Sequence, residues 1–145
     1  MSPEKEIDAD QVIDTFGELV SSLAVFAAKV PAKSFMVNQS ILPTEETIEA
    51  FEYTVYRFRD RSGMTFRVLN SFFIDSLEAF EAGKVFDAVP PLLQAVEQLV
   101  ELHKEEKVKY TEQQKKRIRE FHQRLEKILP ESSQPEVDLP TPESY

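Results

Sequence analysis

The sequence predicts an all-α fold, a single bundle of about five helices ending in a disordered acidic tail. Three observations carry this. Apolar residues recur at alternating steps of three and four along most of the chain as far as Leu129, the period of a buried helix face. Capping residues such as Thr44 and Thr111, and stops such as Gly83 and Pro130, fall between these stripes. Beyond Pro130 the pattern ends. At 145 residues and 41% hydrophobic content, the chain suffices for one domain with a real core.

From Asp10 to Val30, residues Val12, Ile13, Phe16, Leu19, Val20, Leu23, Phe26, Ala27 and Val30 share one helical face. Asp8, Asp10 and Asp14 lie near its start, where the helix dipole favours negative charge; Lys29 and Pro31 close it. Residues 31–43, PAKSFMVNQSILP, have no helical period and read as a loop or short extended segment. Thr44 then offers an N-cap to EETIEAF, and Ile48, Phe51, Val55 and Phe58 form the next stripe.

The stretch from Glu52 to Arg67, EYTVYRFRDRSGMTFR, has two readings. YTVYRF is rich in β-branched and aromatic residues, and DRSG suits a hairpin loop with MTFRVL as the return strand. That gives an α+β alternative with a β-hairpin at about 51–70. The helical stripe nevertheless continues on both sides, through Phe66, Leu69, Phe73, Leu77 and Phe80. The preferred reading is two helices joined at RDRSG, with Gly63 as the C-cap.

Gly83 ends the third long helix. Asp87 is the expected N-cap of the fourth, with Pro90 and Pro91 in its first turn, where a missing N–H costs little. Leu92, Leu93, Val96, Leu99, Val100 and His103 form its stripe. Thr111 and Gln114 have capping-box spacing ahead of a last helix with Ile118, Phe121, Leu125, Ile128 and Leu129 on its apolar face. The tail, ESSQPEVDLPTPESY, carries three prolines and four acids around two aliphatic residues, too few to offset the cost of ordering. The expected organisation is a flexible N-terminus over 1–9, a helical domain over 10–130 and a disordered tail over 131–145.

Charge is unevenly spread along a chain of net −9. Residues 104–129 carry nine bases and five acids, whereas residues 1–52 carry ten acids and three lysines. This balance disfavours wrapping of duplex DNA, which needs a broad basic face, and keeps the protein off anionic membranes. The most apolar window, LVSSLAVFAAKV, is far shorter than the ~20 residues of a membrane span, and the acidic N-terminus does not read as a signal peptide. The chain reads as soluble and cytoplasmic. It has no cysteine, which removes disulfides, thiol nucleophiles and cysteine-bound zinc.

Little catalytic chemistry is legible. The two histidines, His103 and His122, lack the Glu-x-x-His partners of a di-iron bundle, so no metal is expected. With three glycines, phosphate-cradling loops are excluded, and no cofactor is expected. In RIREFH, Arg117 precedes His122 by five positions. This spacing resembles the R-x4-H element of HEPN-domain ribonucleases, which are also small helical bundles. The resemblance implies a guanidinium holding phosphate and an imidazole moving a proton in an RNA-cleaving cleft. The alternative is a solvated helix face of Lys115, Lys116, Arg117 and Arg119. Gly83, Phe86, Ala95 and Leu99 are spaced as in one tetratricopeptide repeat, but no second copy follows at a period of about 34 residues, so this reads as ordinary helix-hairpin packing.

The richest cluster is Arg57, Arg59, Arg61 and Arg67, interleaved with Tyr53 and Tyr56. On a helix, Arg57 and Arg61 lie about 40° apart and Arg59 points about 200° from Arg57, so the arginines do not form one patch by themselves. They either offset the helix dipole and nearby acids or contact a partner. The reading these features give is a non-catalytic helical protein acting through protein–protein interaction, as an adaptor, chaperone-like protein or regulatory subunit. An acidic protein surface is the expected partner, and self-association remains open. The alternatives are a HEPN-like ribonuclease using Arg117 and His122, and a small helical RNA-binding module using the bases of residues 104–127.

Overall fold

Asp8 opens the first helix with a reciprocal cap: its carboxylate accepts from the Gln11 N–H (2.9 Å), and the Gln11 side chain accepts from the Asp8 N–H (3.0 Å). The structure, a computed structural model, describes residues 7–29 and 42–129. Helix α1 spans Ala9–Ala27 and α2 spans Glu45–Arg61. A short α3, Gly63–Phe66, and a 3-10 turn, Arg67–Leu69, lead into α4, Asn70–Glu81. Helix α5 is Val85–Lys104 and α6 is Glu112–Ile128. The five long helices thus match the all-α reading, and no strand occurs among the described residues.

The helices alternate in direction. The Ile7 N–H donates to the Arg61 carbonyl (3.0 Å), so the start of α1 meets the end of α2. Phe58 meets Phe73 and Phe51 meets Phe80, each with ring centroids 4.9 Å apart, so α4 runs against α2. Ser76 on α4 donates to the Ala88 carbonyl (2.8 Å), and Tyr110, ahead of α6, donates to the Leu99 carbonyl (2.9 Å). The α4–α5 and α5–α6 pairs are therefore antiparallel hairpins. Helix α6 ends up parallel to α1. The core between them includes Phe16, Leu23, Phe51, Phe73, Phe80, Leu92 and Leu99, all buried.

The hairpin alternative at 51–70 is not what the structure shows. Phe51, Val55 and Phe58 fall on one face of α2 and are buried, and burial of that stripe outweighs the β-propensity of YTVYRF. Gly63 takes a φ of 67° just past the helix end and redirects the chain into α3. The start of α5 also differs from expectation. The helix begins at Val85, so Pro90 and Pro91 lie beyond its first turn and remove two donors from the ladder. Burial of Val85, Ala88 and Val89 against α4, and the Ser76 bond to the Ala88 carbonyl, hold this segment helical. Ahead of α1, Ile7 is buried. The acidic tail, residues 1–6 and most of the 31–43 segment lie outside the described residues.

Two helices end in the same way with different residues. After α4, the Gly83 N–H reaches the Phe80 carbonyl and the Lys84 N–H reaches the Ala79 carbonyl, with Gly83 at a φ of 78°. After α5, Glu106 and Lys107 make the equivalent bonds to His103 and Leu102, and Glu106 takes a φ of 61°. A side chain in this left-handed region is strained, so Glu106→Gly should raise the unfolding free energy by up to about 1 kcal/mol in urea titration. A loss of stability would show that the Glu106 side chain holds the turn itself. Leu77, 1% exposed, should cost about 2–5 kcal/mol on truncation to alanine. A cost below about 1 kcal/mol would place that face of α4 outside the core.

Candidate functional site

The geometry of α2 sorts the four arginines into two pairs. Arg57 and Arg61 point toward α1 and line a cleft of about 210 Å³ together with Asp14, Glu18, Tyr53 and Phe58. The outer side of the same ridge carries Glu49, Glu52 and Asp60. The Arg57 guanidinium lies 6.0 Å from the Tyr53 ring centre. Carboxylates thus flank these two cations on both sides, with no ion pair to either within 4.0 Å among the described residues.

Arg59 and Arg67 face a different notch, of about 330 Å³, at the junction of α2, α3 and α4. Ser62, Met64 and Asn70 line it with them, and no carboxylate does. Arg59 lies 4.6 Å over the Tyr56 ring, and its Nε is 3.3 Å from Asp60 at the rim. Both partners of that ion pair are at least half exposed, so the pair is weak. Among the described residues Arg67 makes no ion pair and no side-chain hydrogen bond. The floor is fixed: Asn70 Nδ2 donates to Ser62 Oγ (3.2 Å), which donates to the Arg59 carbonyl (3.3 Å). Ser62 is buried, and Asn70 Oδ1 is buried with no hydrogen-bond partner among the described residues.

Beside these cations stand two exposed apolar side chains, Met64 at 80% and Val68 at 41%. The tight turn explains them. Phe66 and Leu69 take the inward positions of α3 and the 3-10 turn, which leaves Met64 and Val68 outward. Met64, Val68, Ser62 and Asn70 are not among the candidate site residues read from the sequence. A signal for the first two was present, because both fall off the Phe66–Leu69–Phe73 stripe.

Arg117 and His122 are not brought together. Arg117 Nη1 is 3.0 Å from Asp14 Oδ1 on α1, and its guanidinium lies 5.8 Å from the Phe121 ring centre. His122 Nδ1 is 3.5 Å from Glu126 Oε1, one turn along α6. Five residues turn a helix by about 140°, so the two side chains occupy different flanks. Arg117 belongs to a seam between the parallel helices α1 and α6. Gln114 Nε2 donates to Asp10 Oδ1 (2.6 Å), and Arg124 lies 3.4 Å from the Ser21 hydroxyl. Gly17 sits between them against Phe121, where an added Cβ would stand 3.4 Å from the ring.

Among the described residues there is no group of three or more histidines and carboxylates placed to hold a metal ion, and no helix long and apolar enough to cross a membrane. If Arg117 serves the seam, a double-mutant cycle of Asp14→Ala and Arg117→Ala should give a coupling below about 1 kcal/mol that shrinks in high salt, as for a half-exposed pair. A coupling near zero at low salt would free Arg117 from that role. The chain matches no family model, no curated protein and no solved structure.

Proposed function

We propose that this protein acts without catalysis, by binding the acidic surface of another protein through the Arg59–Met64–Arg67 notch. The observation that carries the reading is the absence of any carboxylate from the lining of a notch that displays two arginines and an exposed methionine on an acidic chain. Arg67, with no ion pair among the described residues, and Arg59, held only by a weak exposed pair with Asp60, favour an anionic partner, and the methionine adapts to irregular apolar groups. The two functions of the opening arginine cluster are thereby separated. Arg57 and Arg61 serve the bundle, and Arg59 and Arg67 serve recognition.

Capture from native-host extract on the immobilised full chain tests this. Arg59→Glu with Arg67→Glu should abolish retention of the partner, and wild-type retention should fall steeply with added salt. Arg57→Glu with Arg61→Glu should lower stability modestly and leave capture by the folded protein intact. Equal retention by wild type and the Arg59/Arg67 variant, with both folded, would end the proposal.

A further inference from the structure

We infer that residues 135–145 of this same chain occupy the Arg59–Met64–Arg67 notch and compete there with the partner. This inference rests on the notch being a recognition surface. Three observations carry it.

The first is chemical complementarity. The segment reads PEVDLPTPESY, in which Glu136 and Asp138 alternate with Val137 and Leu139. The notch offers the matching pair of features, two guanidiniums beside exposed Met64, with Val68 next to Arg67. Within four residues the segment therefore supplies both kinds of group that the notch can take, two carboxylates and two aliphatic side chains.

The second is reach. Helix α6 runs parallel to α1, so the chain leaves the bundle at the end opposite the notch. The 20-residue α5 sets that separation at about 30 Å. The segment from 130 to 145 spans at most about 50 Å when extended, and Glu136 to Leu139 fall near the required distance.

The third is selectivity over the nearer basic face. Lys116, Arg124 and Lys127 on the exposed side of α6 share it with Glu112 and Glu120, and α6 carries no exposed large apolar residue. That face attracts charge but offers nothing to Val137 and Leu139.

The absence of cysteine allows one unique label on the full chain. A nitroxide on Thr141→Cys, read by paramagnetic broadening of backbone amides, reports where the segment dwells. Met64, Arg67 and Val68 should lose most of their signal at low salt, and should recover it in about 0.5 M salt, where the screening length is roughly half its physiological value, or when Arg59→Glu and Arg67→Glu are added. A mixture of labelled chain at natural isotope abundance with unlabelled ¹⁵N chain should show no broadening. Broadening in the mixture would move the contact to a second copy and overturn the inference. Broadening centred on Lys116 and Arg124, or none beyond the end of α6, would overturn it equally. These outcomes separate from the function proposed above. Loss of partner capture in the Arg59/Arg67 variant without tail contact leaves that reading standing and removes this one. Tail contact at the notch with partner capture unchanged by the variant ends that reading and, with it, the competition inferred here.

Discussion

The rings of Phe73 and Phe80 on α4 are the contacts on which the rest of the bundle depends. They lie two turns apart on one face, about 10 Å along the axis. Phe73 meets Phe16 of α1 edge-on at 5.4 Å and Phe58 of α2 at 4.9 Å. Phe80 meets Phe26 at 5.5 Å and Phe51 at 4.9 Å. Each helix neighbour is thus pinned twice, at fixed spacing, which sets the register of both α1 and α2 against α4. Each ring contributes about 1.5–3 kcal/mol by burial, and the edge-on pairs add about 0.5–1.5 kcal/mol. The opposite surface of α4 is left for α5, where Ser76 and Ala88 make their buried bond.

That register forces the shape of the notch. With Phe58 held on Phe73, the chain must reverse between Arg61 and Asn70. It does so with one left-handed glycine, one turn of α-helix and one turn of 3-10 helix. So short a reversal has few inward positions, and Phe66 and Leu69 take them. Met64, Arg67 and Val68 are expelled outward as a consequence. The display of these side chains therefore follows from core packing, and Ser62 and Asn70 stiffen the backbone beneath it. Stiff presentation reduces the ordering cost of binding, which is what a small contact surface requires.

The sequence made the helices legible because their signals are redundant. Thr44 and Thr111 cap where their spacing indicated, and the stripes through Phe51 and Phe121 bury as their period required. The start of α5 was not legible. Pro90 and Pro91 announce a first turn by local rules, yet tertiary burial of Val85 and Ala88 draws the helix back to Val85. Arg117 and His122 illustrate the limit for sites. Their spacing is visible along the chain, but the Asp14 partner that takes up Arg117 lies 103 residues away and no local pattern points to it. The division of the arginines was half legible. Helical geometry separated Arg59 from Arg57 and Arg61, whereas which pair would meet α1 depended on the fold.

The same packing leaves weakly paired cations displayed at one end of an acidic protein. Several of its bases are paired within the bundle: Lys115 with Glu112, Lys107 with Glu105, Arg117 with Asp14 and, at the notch rim, Arg59 with Asp60, whereas Arg67 has no ion pair among the described residues. Against a net charge of −9, general repulsion of an acidic partner is screened at long range and sets in only within about a Debye length, near 8–10 Å. Only a local positive site can overcome that, and only for a partner whose acids arrive at the right place. General repulsion inside that distance, set against attraction at one local site, favours discrimination over affinity, because a partner with misplaced charge gains nothing to offset the approach. Met64 and Val68 then add an apolar requirement to the electrostatic one. Under the function proposed above, such a surface would favour acidic segments that carry aliphatic side chains between their charges over uniformly acidic ones.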